Sequence, residues 1–116
     1  MSGVVFFKTN MLEVLKKFYL QEIECQLWMD QDDCLIFKNG NFLFGFCQRD
    51  KADIDGIITF FYDEKKEVDR FYVKLAEKAD KAPRDNSKYS IYHFFSWDPE
   101  GRLLEFQYFY NLNDIT

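Results

Sequence analysis

The sequence is short of basic residues, of cysteine and of histidine, and each shortage excludes something. Fifteen Lys and Arg stand against twenty Asp and Glu, a formal net charge of −5. Phosphate backbones are held by basic stripes, so nucleic acid is not an expected partner. The three cysteines, Cys25, Cys34 and Cys47, are an odd number with no C-x-x-C spacing. That speaks against a zinc site or a disulfide framework, and reduced thiols in a cytoplasmic protein are the expectation. No basic stretch leads into a long apolar run at the N-terminus, so no signal peptide is expected. No window approaches a membrane span, and no membrane partner is expected.

What is present is apolar and aromatic. Of 116 residues, 47% are hydrophobic and 20% aromatic, with 14 Phe. A chain of that length is one domain, able to bury a Phe-rich core without staples. The runs "KKEVDR" and "KLAEKADK" mix both signs and read as a solvated helix face.

Periodicity divides the chain into elements. "VVFFKT" (4–9) is a strand, and residues 11–22 form an amphipathic helix with Leu12, Leu15 and Tyr19 on one side and Asn10 and Glu13 as its capping pair. "ECQLWMDQ" (24–31), "CLIFK" (34–38) and "NFLFGFCQ" (41–48) are strands, the last two joined by an Asn39-Gly40 hairpin. The order then repeats. "GIITFFY" (56–62) is a strand, and Asp63 caps a helix carrying Val68, Phe71, Tyr72, Leu75 and Ala76 at helical spacing. The polar stretch 80–88 is a loop with at most a poor edge strand. "YSIYHFFSW" (89–97) and "RLLEFQYFY" (102–110) are strands joined by Asp98-Pro99-Glu100-Gly101, which suits a type I turn closed by a glycine bulge. The chain is therefore β-α-β-β-β twice, an α+β domain over 1–116 with a first module over 1–50 and a second over 55–116.

This doubled order, the "FY" late in the first helix and the closing "DPEGRLLEF" resemble the vicinal oxygen chelate superfamily of glyoxalases, bleomycin-resistance proteins and extradiol dioxygenases. The resemblance covers nearly the whole chain. It implies two modules forming a curved mixed sheet around a cleft, with helices on the outer face. In catalytic relatives a divalent metal is held by side chains from the first and last strands of each module. Such a metal needs several convergent ligands. Carried over position by position, only Glu105 matches. Phe44 stands at the corresponding place in the first module, and Val4 and Gly56 or Ile57 at the first-strand places; none is a ligand. No cofactor is therefore expected, unless a divalent metal is completed by ligands from a partner chain.

Strand alternation places candidate binding residues. With a three-residue loop of Pro99, Glu100 and Gly101, Trp97 opposes Leu103, Phe95 opposes Glu105, and His93, the only histidine, opposes Gln107. These share one face, and a one-residue slip would reverse it. The Asn39-Gly40 hairpin puts Leu35, Phe37, Phe42, Phe44 and Phe46 on the matching face of the first module, and parity puts Cys34 on the helix-facing side as an inert thiol.

Three functional readings follow. In the first, Phe37, Phe42, Phe44, Phe95 and Trp97 wall a pocket for a small apolar or aromatic molecule, while His93, Glu105 and Gln107 fix its polar groups. In the second, Glu105 and His93 serve a metal-dependent lyase, isomerase or dioxygenase. In the third, the sheet face is an interaction surface, with a homodimer as the expected assembly.

Overall fold

The computed structural model describes residues 2–112 and contains two βαβββ units. The first runs β1 (Val4–Thr9), α1 (Leu12–Lys17), β2 (Gln26–Asp30), β3 (Cys34–Asn39) and β4 (Phe42–Gln48). The second runs β5 (Ile57–Phe61), α2 (Lys65–Leu75), β6 (Arg84–Asn86), β7 (Ile91–Trp97) and β8 (Leu103–Phe109). Helix α1 continues into a π-helical turn, Phe18–Glu22, and α2 into a 3₁₀ turn, Ala76–Lys78. Each unit is a four-stranded mixed sheet, ordered β1-β4-β3-β2 and β5-β8-β7-β6, with one parallel pair at β1/β4 and one at β5/β8. No helix among the described residues is long and apolar enough to cross a membrane.

By compactness the chain divides into Met1–Asp55 with Asp98–Arg102, and Gly56–Trp97 with Leu103–Thr116. The tip of the second module's closing hairpin is thus part of the first unit. Its charges explain why. Asp98 Oδ2 accepts the Tyr19 hydroxyl at 2.7 Å, and Asp98 Oδ1 accepts the backbone N–H groups of Glu100 and Arg102. Arg102, 2% exposed, reaches Asp98 at 3.2 Å, Glu100 at 2.7 Å and the Lys8 carbonyl at 2.7 Å, with its guanidinium over the Phe46 ring. Glu100 in turn accepts from the Thr9 hydroxyl and the Asn10 backbone. Burial, and next the Asp98 carboxylate, hold the Tyr19 phenol well above its usual range.

The first unit's core forms around Tyr19. Its ring lies 5.7 Å from Phe37, 5.3 Å from Phe44 and 5.1 Å from Phe46, all three fully buried. Leu35, Phe37, Phe42, Phe44 and Phe46 do share one face, but it is the helix-facing one, opposite to the face expected from the sequence. The reason is loop length. Asn39 pairs with Phe42, so the loop is Gly40-Asn41, with Gly40 at φ +60° in the first loop position as a type II′ turn requires. Gly101, at φ +93°, is instead the last residue of the three-residue loop Pro99–Gly101, which Asp98 and Arg102 close. Counting forward from each glycine therefore misaligns the modules by one residue and reverses the face.

Cys34 is corrected with it. It lies on the face away from α1 and is joined to Cys47 by a disulfide, so these two thiols are not reduced. The Gln48 N–H donates to the Asp33 carbonyl on the adjacent rung, making Cys34/Cys47 a narrow, non-hydrogen-bonded pair where side chains approach most closely. Spacing along the chain carries no trace of that pairing, and the thiol argument for a cytoplasmic compartment fails for these residues. Cys25 is the free cysteine; burial pushes its thiol up to about 11.

The helix starts also differ from expectation. Met11 and Glu64 occupy the N-cap positions without a side-chain cap bond. Thr9 Oγ1 accepts from the Met11 N–H, and Gln48 Oε1 from the Leu12 N–H, so neighbours on β1 and β4 replace Asn10 as the acceptor at α1.

In the second unit Phe71 of α2 stacks on Phe106 at 5.6 Å, and Phe94 stacks on Phe106 at 4.9 Å. Tyr72 meets Phe94 edge-on. These contacts assign Phe94 and Phe106 to the helix side and leave the alternate residues on the other face.

Candidate functional site

The face of the second sheet turned away from α2 carries the polar residues. The β7/β8 register is Trp97↔Leu103, Phe95↔Glu105 and His93↔Gln107, as the Pro99–Gly101 loop implied. The parallel pair adds Thr59↔Glu105, and β6 adds Arg84↔His93. Two rows result, Phe95–Glu105–Thr59 and Arg84–His93–Gln107, one above the other.

Glu105 is the centre of this face. Its Oε1 accepts the Thr59 hydroxyl at 2.9 Å, and its Oε2 lies 2.7 Å from His93 Nδ1. His93, Glu105 and Gln107 are all buried. A carboxylate at this distance accepts from Nδ1–H, so in the neutral imidazole the lone pair lies at Nε2. No hydrogen bond to His93 Nε2 or to the Gln107 carboxamide is present among the described residues, and neither group is sealed from solvent. Phe95 packs edge-on against the imidazole at 5.1 Å, and Arg84 lies over the Phe95 ring at 5.5 Å. Asp80 holds Arg84 through two bonds of 3.1 and 2.9 Å and also accepts the Phe95 backbone N–H. Burial alone would raise the Asp80 carboxyl, but these bonds outweigh it and hold the group at about 2. Trp97 is 43% exposed at the end of the same face.

Five of the residues singled out from sequence therefore come together: His93, Phe95, Trp97, Glu105 and Gln107. Phe37, Phe42 and Phe44 do not join them; they lie on the helix side of the first unit, and Phe37 and Phe44 are fully buried there. Two members of the site went unpredicted. Thr59 sits in a β-branched run indistinguishable from core, and Arg84 lies in a stretch read as loop.

The residues present do not fit a divalent metal. Both Glu105 oxygens are engaged by Thr59 and His93, and among the described residues no three His, Cys, Asp or Glu side chains converge. The counterpart of Glu105 in the first unit is also corrected. Thr59↔Glu105 is the third rung of β5/β8, and the third rung of β1/β4 is Phe6↔Gly45. Gly45, not Phe44, holds the position, and the Phe6 ring fills the space over it: a Cβ there would stand 2.7 Å from that ring and 3.0 Å from the Leu35 carbonyl.

No protein-family model matches this sequence, and no curated protein matches it. Solved structures do match in fold. A glyoxalase/bleomycin resistance protein/dioxygenase from Alicyclobacillus acidocaldarius superposes with a TM-score of 0.78 at 17% identity, over 100% of this chain and 96% of its own. A glyoxalase/bleomycin resistance protein/dioxygenase family enzyme from Burkholderia phytofirmans gives 0.76 at 19% identity, over 90% and 95%. Lactoylglutathione lyase from Agrobacterium tumefaciens gives 0.72 at 17% identity, over 93% and 91%. The chain shares the glyoxalase-like fold of these structures, with two βαβββ modules. Within that fold this chain links Thr59, Glu105 and His93 by hydrogen bonds across neighbouring strands.

Proposed function

We propose that the chain binds a small planar aromatic molecule on the second sheet, without a metal. The observation that carries this is the buried His93–Glu105 pair, anchored at Nδ1 and open at Nε2, beside an open Gln107 carboxamide. Polar groups that the protein leaves unengaged on a largely apolar face are the ones a ligand can use for orientation. Phe95, Trp97 and Leu103 supply an apolar wall along the same strands, the usual composition of a small-molecule site. A ligand that suits both features is a planar ring with a protic substituent, a phenol or aniline, donating to Nε2 and accepting from Gln107.

Trp97 is the natural reporter. In a Trp28→Phe background, titration with a panel of phenols, anilines and naphthols in EDTA should quench it saturably. His93→Ala should weaken binding about tenfold, the loss of one hydrogen bond of roughly 1.4 kcal/mol. No saturable binding up to about 1 mM, near the limit of useful affinity, would count against the reading.

A further inference from the structure

We infer that the Cys34–Cys47 disulfide is a thiol-exchange site: a low-molecular-weight aminothiol attacks Cys34, Cys47 leaves, and the opened bond loosens the start of α1. Both cysteines are half-buried on the face away from α1, not sealed in the core. Exposed disulfides are the exchangeable ones, whereas structural ones resist reduction. The fold also survives the opening. Five further rungs, Leu35↔Phe46 to Asn39↔Phe42, keep β3 on β4, and six pair β4 with β1. The ladder thus holds the two reduced thiols opposite each other, ready to close again. Cys25 takes no part: it is 6% exposed and lies beside Asn39, at the other end of β3.

The charges on either side set the direction of attack. Lys8 of β1 stands directly across from Cys47 and shares its face, while Cys34 is one strand further away. Asp53 meets the Lys8 backbone N–H, not its ammonium. Around Cys34 the β2–β3 turn carries Asp30, Asp32 and Asp33. A leaving thiolate is therefore better accommodated at Cys47 than at Cys34. Asp33 is paired with Arg49 at 3.2 Å, which leaves Asp30 and Asp32 to favour an incoming thiol that carries an ammonium group. In the exchange the aminothiol's thiolate bonds to Cys34 Sγ. The Cys34–Cys47 bond breaks, and its electron pair leaves on Cys47 Sγ. A second aminothiol displaces Cys34 from the mixed disulfide. The products are two protein thiols, which take up the two protons the aminothiols release, and one oxidised small disulfide. The bond sits where α1 begins. Gln48, next to Cys47, accepts the Leu12 N–H on its side chain and donates its own N–H to the carbonyl of Asp33, next to Cys34. Opening the disulfide releases the clamp on both neighbours, and the first turn of α1 loses order with it.

Cysteamine and mercaptopropionate, thiols of similar size and opposite charge, test this on the folded full chain, read by alkylation and intact mass. Cysteamine should open the bond faster, and by more than the ratio the two thiols show toward hydroxyethyl disulfide. Peptide mapping after an acid quench should find the transient adduct on Cys34. Lys8→Gln should slow opening about threefold, the order expected from a modest rise in the basicity of the leaving thiol, and Lys8→Arg should restore the rate. On reduction, hydrogen exchange at the Leu12 and Gln48 amides should quicken while that of β7 and β8 does not. Opening no faster than global unfolding, an adduct on Cys47, or unchanged exchange at Leu12 and Gln48 overturns the inference. So does a cysteamine preference no greater than that of the reference disulfide.

Discussion

Glu105 has both carboxylate oxygens occupied, by Thr59 and by His93, and this decides what the residue can do. It orients His93, and among the described residues no third His, Cys, Asp or Glu side chain converges with this pair to hold a metal. Asp80 plays a comparable part for Arg84 and supplies a pH-dependent prediction. Its carboxyl is held at about 2, below the ordinary value of about 3.9. A group with a depressed folded-state pKa contributes stability above its unfolded value, and loses it as pH falls through the folded one. The contribution should be full above about pH 4 and fade towards pH 2. Urea midpoints at several values in this window should fall for wild type more steeply than for Asp80→Asn. Parallel curves would show that the Asp80–Arg84 bonds contribute nothing to folding.

Among the elements, the closing hairpin of the second module is the most revealing. Its strands carry the site, while its tip, Asp98–Arg102, is part of the first unit. The "DPEGR" charges that attract attention in the sequence are consumed by that tip: Asp98, Glu100 and Arg102 bond one another, Tyr19, Thr9 and the Lys8 carbonyl. Removing the guanidinium strands two partly buried carboxylates beside an apolar core. Arg102→Ala should therefore cost about 3–5 kcal/mol, the usual penalty for breaking a buried pair, read from chemical denaturation. A loss under about 1 kcal/mol would place the cluster with ordinary surface pairs.

The same hairpin shows what the sequence could tell. Pro99 and Gly101 suit a three-residue loop, and from that loop length the β7/β8 register, and with it the neighbours of Glu105, follow, though a one-residue slip would have reversed them. The first module gave no such anchor. Asn39-Gly40-Asn41 accommodates more than one loop, and both faces of β3 and β4 are apolar, with Ile36 and Leu43 on one and Phe37 and Phe44 on the other. Without polar alternation nothing in the pattern says which face meets the helix. The helix caps failed for a different reason: their acceptors, Thr9 and Gln48, come from strands, and capping rules look only along the chain.

For the molecule as a whole, the doubled βαβββ order was legible because each element is strongly periodic, whereas the covalent state of its cysteines was not. Cys34 and Cys47 meet only once β3 and β4 pair. Intact mass with and without reductant should show one disulfide, and alkylation of the unreduced protein should label a single thiol, Cys25, and only after unfolding. Reduction should lower stability by up to about 3 kcal/mol, as expected for a loop of this length. Three thiols in the unreduced protein would refute the pairing.

The central claim is that the second sheet carries a metal-free site built on a histidine anchored at one nitrogen and open at the other. Long-range proton–nitrogen NMR of the single histidine, recorded in EDTA before and after addition of a planar phenol, tests it most directly. The account predicts a protonated Nδ1 and a bare Nε2, with the phenol moving the Nε2 resonance far more than that of Nδ1. A proton on Nε2 in the free protein, or a spectrum that no aromatic ligand perturbs, would contradict it.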